Sequence, residues 1–378
     1  METMLSSEDL TYREECRSYA LRELASIRDK YGEVNEVPQE LRKSMGEAGL
    51  FRYLIPREYG GYGVCALRIC LAREVLAGVY CPADVTLAMQ GLGSYPIVLG
   101  GTEEQKSKYL PGVVAGDILT TFALTEPNAG SDVSNLETVA VEMKDGYALT
   151  GKKRFISNGY SSNMAVIFAK TPSEENPRSI SAFVVEKGTP GFEVEKRLDL
   201  MASHDIVSLR LDSALIPKEN LLGKIGTGFK LAMGTLDLMR MTVGAAAVGM
   251  GQTALEEALS YAPERVQFGV PIAKQQGIMF KLADMATELE AARLLVYRAA
   301  IKKDNDALDV TLAASMAKLY ATEAAWRTID QAVQIHGGVG VIKGSTVERL
   351  YREIRPLRIY EGTSEIQKLV IARFLQKK

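Results

Sequence analysis

Met164-Ala165-Val166-Ile167-Phe168-Ala169 and Ile180-Ser181-Ala182-Phe183-Val184-Val185 are two short apolar runs, separated by a polar, proline-bracketed loop at Thr171–Arg178. Runs this brief and this rich in branched and aromatic residues read as strands rather than helices. They lie within a longer stretch, Leu119–Leu222, that breaks into similar pieces at Tyr147–Thr150, Phe192–Glu195 and Val207–Leu211. Asp145-Gly146 and Lys187-Gly188 supply turns between them. On the N-terminal side, apolar residues at three- and four-residue spacing predict helices over Glu8–Lys30 and Gln39–Ala48. The pattern breaks at Pro56 and at Gly60, Gly61 and Gly63, and another helix is expected after Thr102, an N-cap with Gln105 as its capping-box partner. On the C-terminal side the helical period returns over Gly228–Ala262, Gln275–Lys303, Leu312–Ile335 and Ser364–Leu375. Glycine and alanine at 244–251 suit close helix packing. The expected fold is α+β and mostly α: an N-terminal helical domain (1–118), a middle antiparallel β domain (119–223) and a C-terminal four-helix bundle (224–378).

Composition excludes several classes of function. Among 378 residues, 45 Lys and Arg balance 47 Asp and Glu, so the basic excess of a nucleic-acid binder is missing. Cys16, Cys65, Cys70 and Cys81 form no Cys-x-x-Cys pair and read as buried thiols of a reducing compartment. With His204 and His336 alone, neither a histidine-rich metal site nor a Ser-His-Asp triad has material to work with. Met1–Leu10 is polar and acidic, unlike a secretory or transit segment, and Met241–Leu255 is too short and glycine-rich for a membrane span. A cytoplasmic protein with no membrane and no nucleic-acid partner is expected.

Three segments carry chemistry. Phe122-Ala123-Leu124-Thr125-Glu126-Pro127-Asn128-Ala129-Gly130-Ser131-Asp132 resembles the first signature of the acyl-CoA dehydrogenases. Gln334-Ile335-His336-Gly337-Gly338-Val339-Gly340 and Ile359-Tyr360-Glu361-Gly362-Thr363-Ser364-Glu365-Ile366-Gln367 resemble the later ones. The likeness covers nearly the whole chain and implies FAD-dependent oxidation of an acyl-CoA to its trans-2-enoyl-CoA. Oxidising a saturated thioester means removing a weakly acidic α proton, for which a desolvated carboxylate is suited. The resemblance assigns that proton to Glu361 and the β hydride to flavin N5. It gives the Glu361 backbone N–H, with a flavin ribityl hydroxyl, the role of polarising the thioester carbonyl. Gly362 would let backbone approach the substrate closely. Read without the resemblance, Glu361 is better taken as a surface glutamate capping a helix start.

Some members of the family carry the base just before the arginine of a Leu-Asp-x-x-Arg stretch. Here that stretch is Leu236-Asp237-Leu238-Met239-Arg240, and Met239 cannot accept a proton. The resemblance places Asp237 and Arg240 at the nucleotide-bearing arm of the substrate, although the pair also suits a helical i, i+3 ion pair. The resemblance likewise gives Ser131 a hydrogen bond to substrate, although the residue equally suits a loop-side N-cap.

For the cofactor, the resemblance lays Phe122, Leu124, Thr125 and Ser131 along the isoalloxazine ring. Phe155-Ile156-Ser157 stands where the family usually has Trp-Ile-Thr, keeping an aromatic ring and a hydroxyl. Arg265, Phe268 and Gln276 resemble a segment that meets the flavin's pyrophosphate and adenosine from a neighbouring subunit, arginine offering forked donors to a diphosphate. Gln334, Ile335, His336, Gly337 and Gly338 would bring backbone to the same anion, and Thr363 and Glu365 would meet the adenosine end. His336 equally suits a satisfied structural histidine. A homotetramer and an electron-transfer flavoprotein as electron acceptor follow from the same resemblance. Two other readings share the fold: a dehydrogenase of carrier-protein thioesters, or an enoyl-CoA reductase. A reading of another class is a non-catalytic, flavin-bound assembly factor.

Overall fold

The computed structural model describes residues 4–172, 176 and 179–376. Helices α1 (Ser7–Tyr19), α2 (Ala25–Tyr31), α3 (Gln39–Glu47), α4 (Ala66–Val79), α5 (Cys81–Gly100) and α6 (Glu103–Val114) come first. Strands β1 (Thr120–Ala123), β2 (Val139–Met143), β3 (Gly146–Ser157), β4 (Met164–Lys170), β5 (Ile180–Glu186), β6 (Phe192–Arg197), β7 (Ile206–Pro217) and β8 (Leu221–Leu222) follow. After them run α7 (Gly228–Glu264), a hairpin of β9 (Val266–Gln267) and β10 (Val270–Pro271), then α8 (Gln276–Asp304), α9 (Val310–His336), α10 (Thr346–Ile354) and α11 (Ser364–Gln376). The helix–β–helix order is the expected one. The Thr102 cap is also as expected: its hydroxyl accepts from Gln105 N while the Gln105 side chain accepts from Thr102 N.

The chain divides into two compact units, Met1–Ser26 with Ala66–Asp84 and Arg240–Lys378, and Ile27–Cys65 with Val85–Met239. The second holds the sheet, ordered β6-β7-β3-β2-β4-β5-β8. Its pairing is mostly antiparallel, but β1 runs parallel to β4, with Phe122 opposite Val166. Strands β4 and β5 are buried along almost their whole length, which explains why they read as unbroken apolar runs. Edge strand β6 is exposed and charged, with Glu193, Glu195, Lys196 and Arg197, and so resists pairing with another chain. Part of the Thr171–Arg178 loop lies outside the described residues.

Strand β3 extends well past Thr150 to Ser157. Register irregularities between Leu149 and Gly151 and between Lys153 and Ile156 break the two-residue alternation, so the pattern hides the strand's second half. The run 241–255 belongs to α7, 37 residues long and apolar enough to cross a membrane by composition. It is instead a core helix, with 78% of its most apolar window buried inside the protein. Cys16, Cys70 and Cys81 are buried thiols as expected, whereas Cys65 is half-buried.

Candidate active site

In the first unit, the segment joining α10 to α11 is shaped around Glu361. Pro356 O accepts from Ile359 N and Tyr360 N, closing a tight turn. Glu361 then takes φ 53° and Gly362 φ 92°. A left-handed glutamate is uncommon and costs backbone energy, so the surroundings must hold it. They do so through the two carbonyls. Glu361 O accepts from Gln367 Nε2 at 3.1 Å and from Arg240 Nε at 3.5 Å. Gly362 O accepts from Gln367 Nε2 at 2.9 Å and from Lys318 Nζ at 2.7 Å. At φ 92° any L side chain on Gly362 would be strained, and its Cβ would lie 2.6 Å from Gln367 Nε2. Glu323 on α9 braces both flanks, accepting from Arg358 at 2.8 Å and from Ser364 Oγ at 2.6 Å.

The Glu361 side chain lies among charged groups, Arg73, Arg240 and Lys318 among them. Its Oε2 is buried and accepts no hydrogen bond. Desolvation raises its pKa above the ordinary carboxylate value, Arg73, Arg240 and Lys318 oppose the rise, and Asp84 adds to it. A carboxylate with an unsatisfied, buried oxygen is poised to take a proton. Arg73 is clasped by Asp84, with Nε to Oδ1 at 2.7 Å and Nη2 to Oδ2 at 2.8 Å, both side chains 1% exposed. Sequence reading overlooked Arg73, Lys318 and Gln367, which lie outside the signatures or were assigned no part in them.

Other expected residues separate by exposure. Arg240 is buried beside the Glu361 carbonyl. Arg265, Phe268 and Gln276 are exposed, Phe268 at the hairpin tip with φ 53° and 97% exposure. Gln334, Gly337 and Gly338 are exposed, and a Cβ on either glycine would meet nothing, so bare backbone is presented there. The side chains of Ile335 and His336 are both buried. His336 Nδ1 pairs with Ala332 O at 2.7 Å and its ring stacks on Tyr261 with centroids 4.4 Å apart. Thr363 Oγ1 is engaged as a cap by Ile366 N at 3.3 Å, and Glu365 is exposed in the first turn of α11.

In the second unit, Phe122, Leu124 and Thr125 line the end of β1 and its following loop. Phe122 packs on Phe168, ring centroids 4.8 Å apart, and Leu124 is 7% exposed, so side-chain access at both is restricted. The loop is anchored by a buried pair that sequence reading also overlooked. Lys153 Nζ reaches Glu126 Oε1 at 2.7 Å, Phe168 O at 2.6 Å and Leu124 O at 3.3 Å. Desolvation lowers the Lys153 pKa to about 8 against the pull of Glu126. Phe155 stands 51% exposed at φ 58°, and Asn158 follows at φ 57°, so the end of β3 turns sharply around Ile156 and Ser157. Ile156 is core, while the Ser157 hydroxyl bonds His204 Nε2 at 2.8 Å. Desolvation lowers the His204 pKa to about 4, keeping the ring neutral near pH 7. Ser131 is exposed, Asp237 is half-buried on α7, and Met239 is fully buried over Gly91. An exposed aromatic ring beside a hydroxyl, and separately bare glycine backbone, fit the ring and the phosphates of a flavin dinucleotide.

Three family models match the chain: acyl-CoA dehydrogenase N-terminal domain over residues 6–117, middle domain over 121–213 and C-terminal domain over 226–376. The chain is 44% identical to an acyl-CoA dehydrogenase of Bacillus subtilis over 98% of both sequences. It is 43% identical to a subunit of the caffeyl-CoA reductase–Etf complex of Acetobacterium woodii over 99% of both. The solved butyryl-CoA dehydrogenase of Megasphaera elsdenii superposes with a TM-score of 0.93 at 38% identity, covering 98% of this chain and 99% of that one.

Proposed function

Because the chain belongs to the acyl-CoA dehydrogenase family, we propose that Glu361 is the base of its FAD-dependent α,β-dehydrogenation of acyl-CoA. The observation that carries this reading is the buried, unbonded Oε2. When the α C–H bond breaks, its proton goes to Oε2 and its electron pair is drawn toward the thioester carbonyl. The Glu361 N–H polarises that carbonyl, and the left-handed backbone of Glu361 sets the direction in which it points. Bound FAD supplies the acceptor for the β hydride. Arg240 and Lys318 hold the turn, and burial keeps water from competing for the base.

The remaining assignments are proposed on the same footing. Phe155 and Ser157 serve the flavin ring, and Arg265, Gln276, Gln334, Gly337 and Gly338 serve its diphosphate and adenosine. The three-domain division at 118 and 223 is supported by the ranges that the family models match. Electron-transfer flavoprotein is the proposed acceptor, supported by the name of the Acetobacterium relative, and the proposed location is cytoplasmic. A homotetramer is supported by the exposed apolar surface of Phe268, Phe280, Met279 and Val266, which is costly to leave in water. Light scattering of the purified protein should give the mass of four chains, and a monomer would remove this part.

The function itself is tested by adding a panel of acyl-CoA and carrier-protein thioesters anaerobically to the FAD-loaded protein. At least one acyl-CoA should bleach the oxidised-flavin band. A flavin that no thioester reduces would favour the assembly-factor reading. The reductase name of the Acetobacterium relative supports a second reading, in which the same site runs toward the saturated thioester. Reduced protein that transfers its electrons to enoyl-CoA faster than to electron-transfer flavoprotein would select it.

A further inference from the structure

The Glu361 turn is held by a lysine that the chemistry does not require. Lys318 sits on α9 between Ala317 and Leu319, and its side chain is wholly buried. A buried ammonium is costly, and a methionine of similar length would fill the same space without that cost. Two features compensate it here: the Gly362 carbonyl at 2.7 Å and the facing carboxylate of Glu361. We infer that Lys318 is a positioning residue for the base, whose buried ammonium pins the left-handed Glu361-Gly362 turn through the Gly362 carbonyl and so holds the Glu361 carboxylate beside a fixed positive charge. This inference rests on the reading of Glu361 as the base.

The charges around the pair separate its role from that of its neighbours. Glu361 faces Arg73, Arg240 and Lys318, with Asp84 opposing. Lys318 faces Glu361, Arg240, Glu323 and Glu365. Arg73 is committed to Asp84, whose carboxylate opposes its pull on Glu361. Arg240 donates its Nε to the Glu361 carbonyl, and its guanidinium stays charged at any working pH. Lys318 differs, because desolvation lowers it to about 8, with Glu361 opposing the fall and Arg240 adding to it. It is the cation of this group that can discharge within the range where enzymes work, and the carboxylate it faces is the proton acceptor.

The test reads the Glu361 carboxyl directly. In an infrared pH titration of the FAD-loaded protein, the protonated-carboxyl band of Glu361 is identified by its loss in Glu361→Gln. In Lys318→Met the midpoint of that band should move up by about one pH unit or more, the scale for removing a nearby opposite charge. The acid limb of kcat/KM should move with it, and Lys318→Arg should restore both. Lys318→Gln keeps an N–H donor without the charge, so it should show the midpoint shift with a smaller loss of stability, and it serves if the methionine variant does not fold. An unchanged midpoint in a folded Lys318→Met or Lys318→Gln protein overturns the inference and leaves Lys318 as packing. Because the band is read without turnover, its result stands apart from whether Glu361→Gln is inactive, which is the measure of the base reading.

Discussion

Glu361→Gln should lower acyl-CoA turnover by about 10²–10⁴-fold, the range expected for loss of a general base, while making the folded protein more stable near neutral pH. The amide keeps the size of the side chain and cannot take a proton. Anaerobic addition of an acyl-CoA that bleaches the native flavin should therefore leave the variant oxidised over the same interval. The stability half follows from the raised pKa of Glu361. A carboxyl whose folded pKa lies above its unfolded value loses protons less readily in the fold. The native state is thus penalised as pH climbs from the unfolded pKa through the folded one, and the penalty is full above both. The variant and the native protein should melt alike in acid and diverge toward neutrality, with the variant higher. Flavin bleaching at the native rate would remove Glu361 from the mechanism. A variant that melts lower at every pH would mean that its carboxylate is net stabilised by Arg73, Arg240 and Lys318.

The second large effect is expected at Arg73→Met. This change strands the Asp84 carboxylate, which is 1% exposed and bonded by two guanidinium nitrogens, and leaves Thr242 Oγ1 without the Nη1 donor at 2.8 Å. Removing one partner of a buried pair typically costs about 3–5 kcal/mol, because the other charge remains desolvated. The urea midpoint should fall accordingly. The double change Arg73→Met with Asp84→Leu removes both charges and should recover most of that loss. A single variant as stable as the native protein would show that water reaches Asp84. Since Arg73 lowers the Glu361 pKa and Asp84 raises it, the single variant should also shift the acid limb of activity upward more than the double variant does.

Helix positions, the Thr102 cap and the apolar strands β4 and β5 were legible because each leaves a local pattern. A 3.6-residue period, a capping pair three residues apart and a fully apolar run all arise within one element. The second half of β3 was not legible, since its irregularities around Gly151 and Phe155 interrupt the alternation on which strand reading depends. At the site, the identity of Glu361 was readable from its signature, but its surroundings were not. His336 illustrates the same limit from the other side. It stands within a signature, yet its partners Tyr261 and Ala332 make it part of the core.

By itself, then, the amino-acid order determined a helical–β–helical chain of the acyl-CoA dehydrogenase kind and singled out the carboxylate proposed as its base. Tertiary structure alone decided how that carboxylate is tuned and how the loops around it are held. Lys318 meets Gly362 across 44 residues, Lys153 meets Glu126 across 27, and His204 meets Ser157 across 47. The reason is physical: periodicity records which face of an element turns inward, whereas desolvation and charge pairing depend on what distant segments bring to that face.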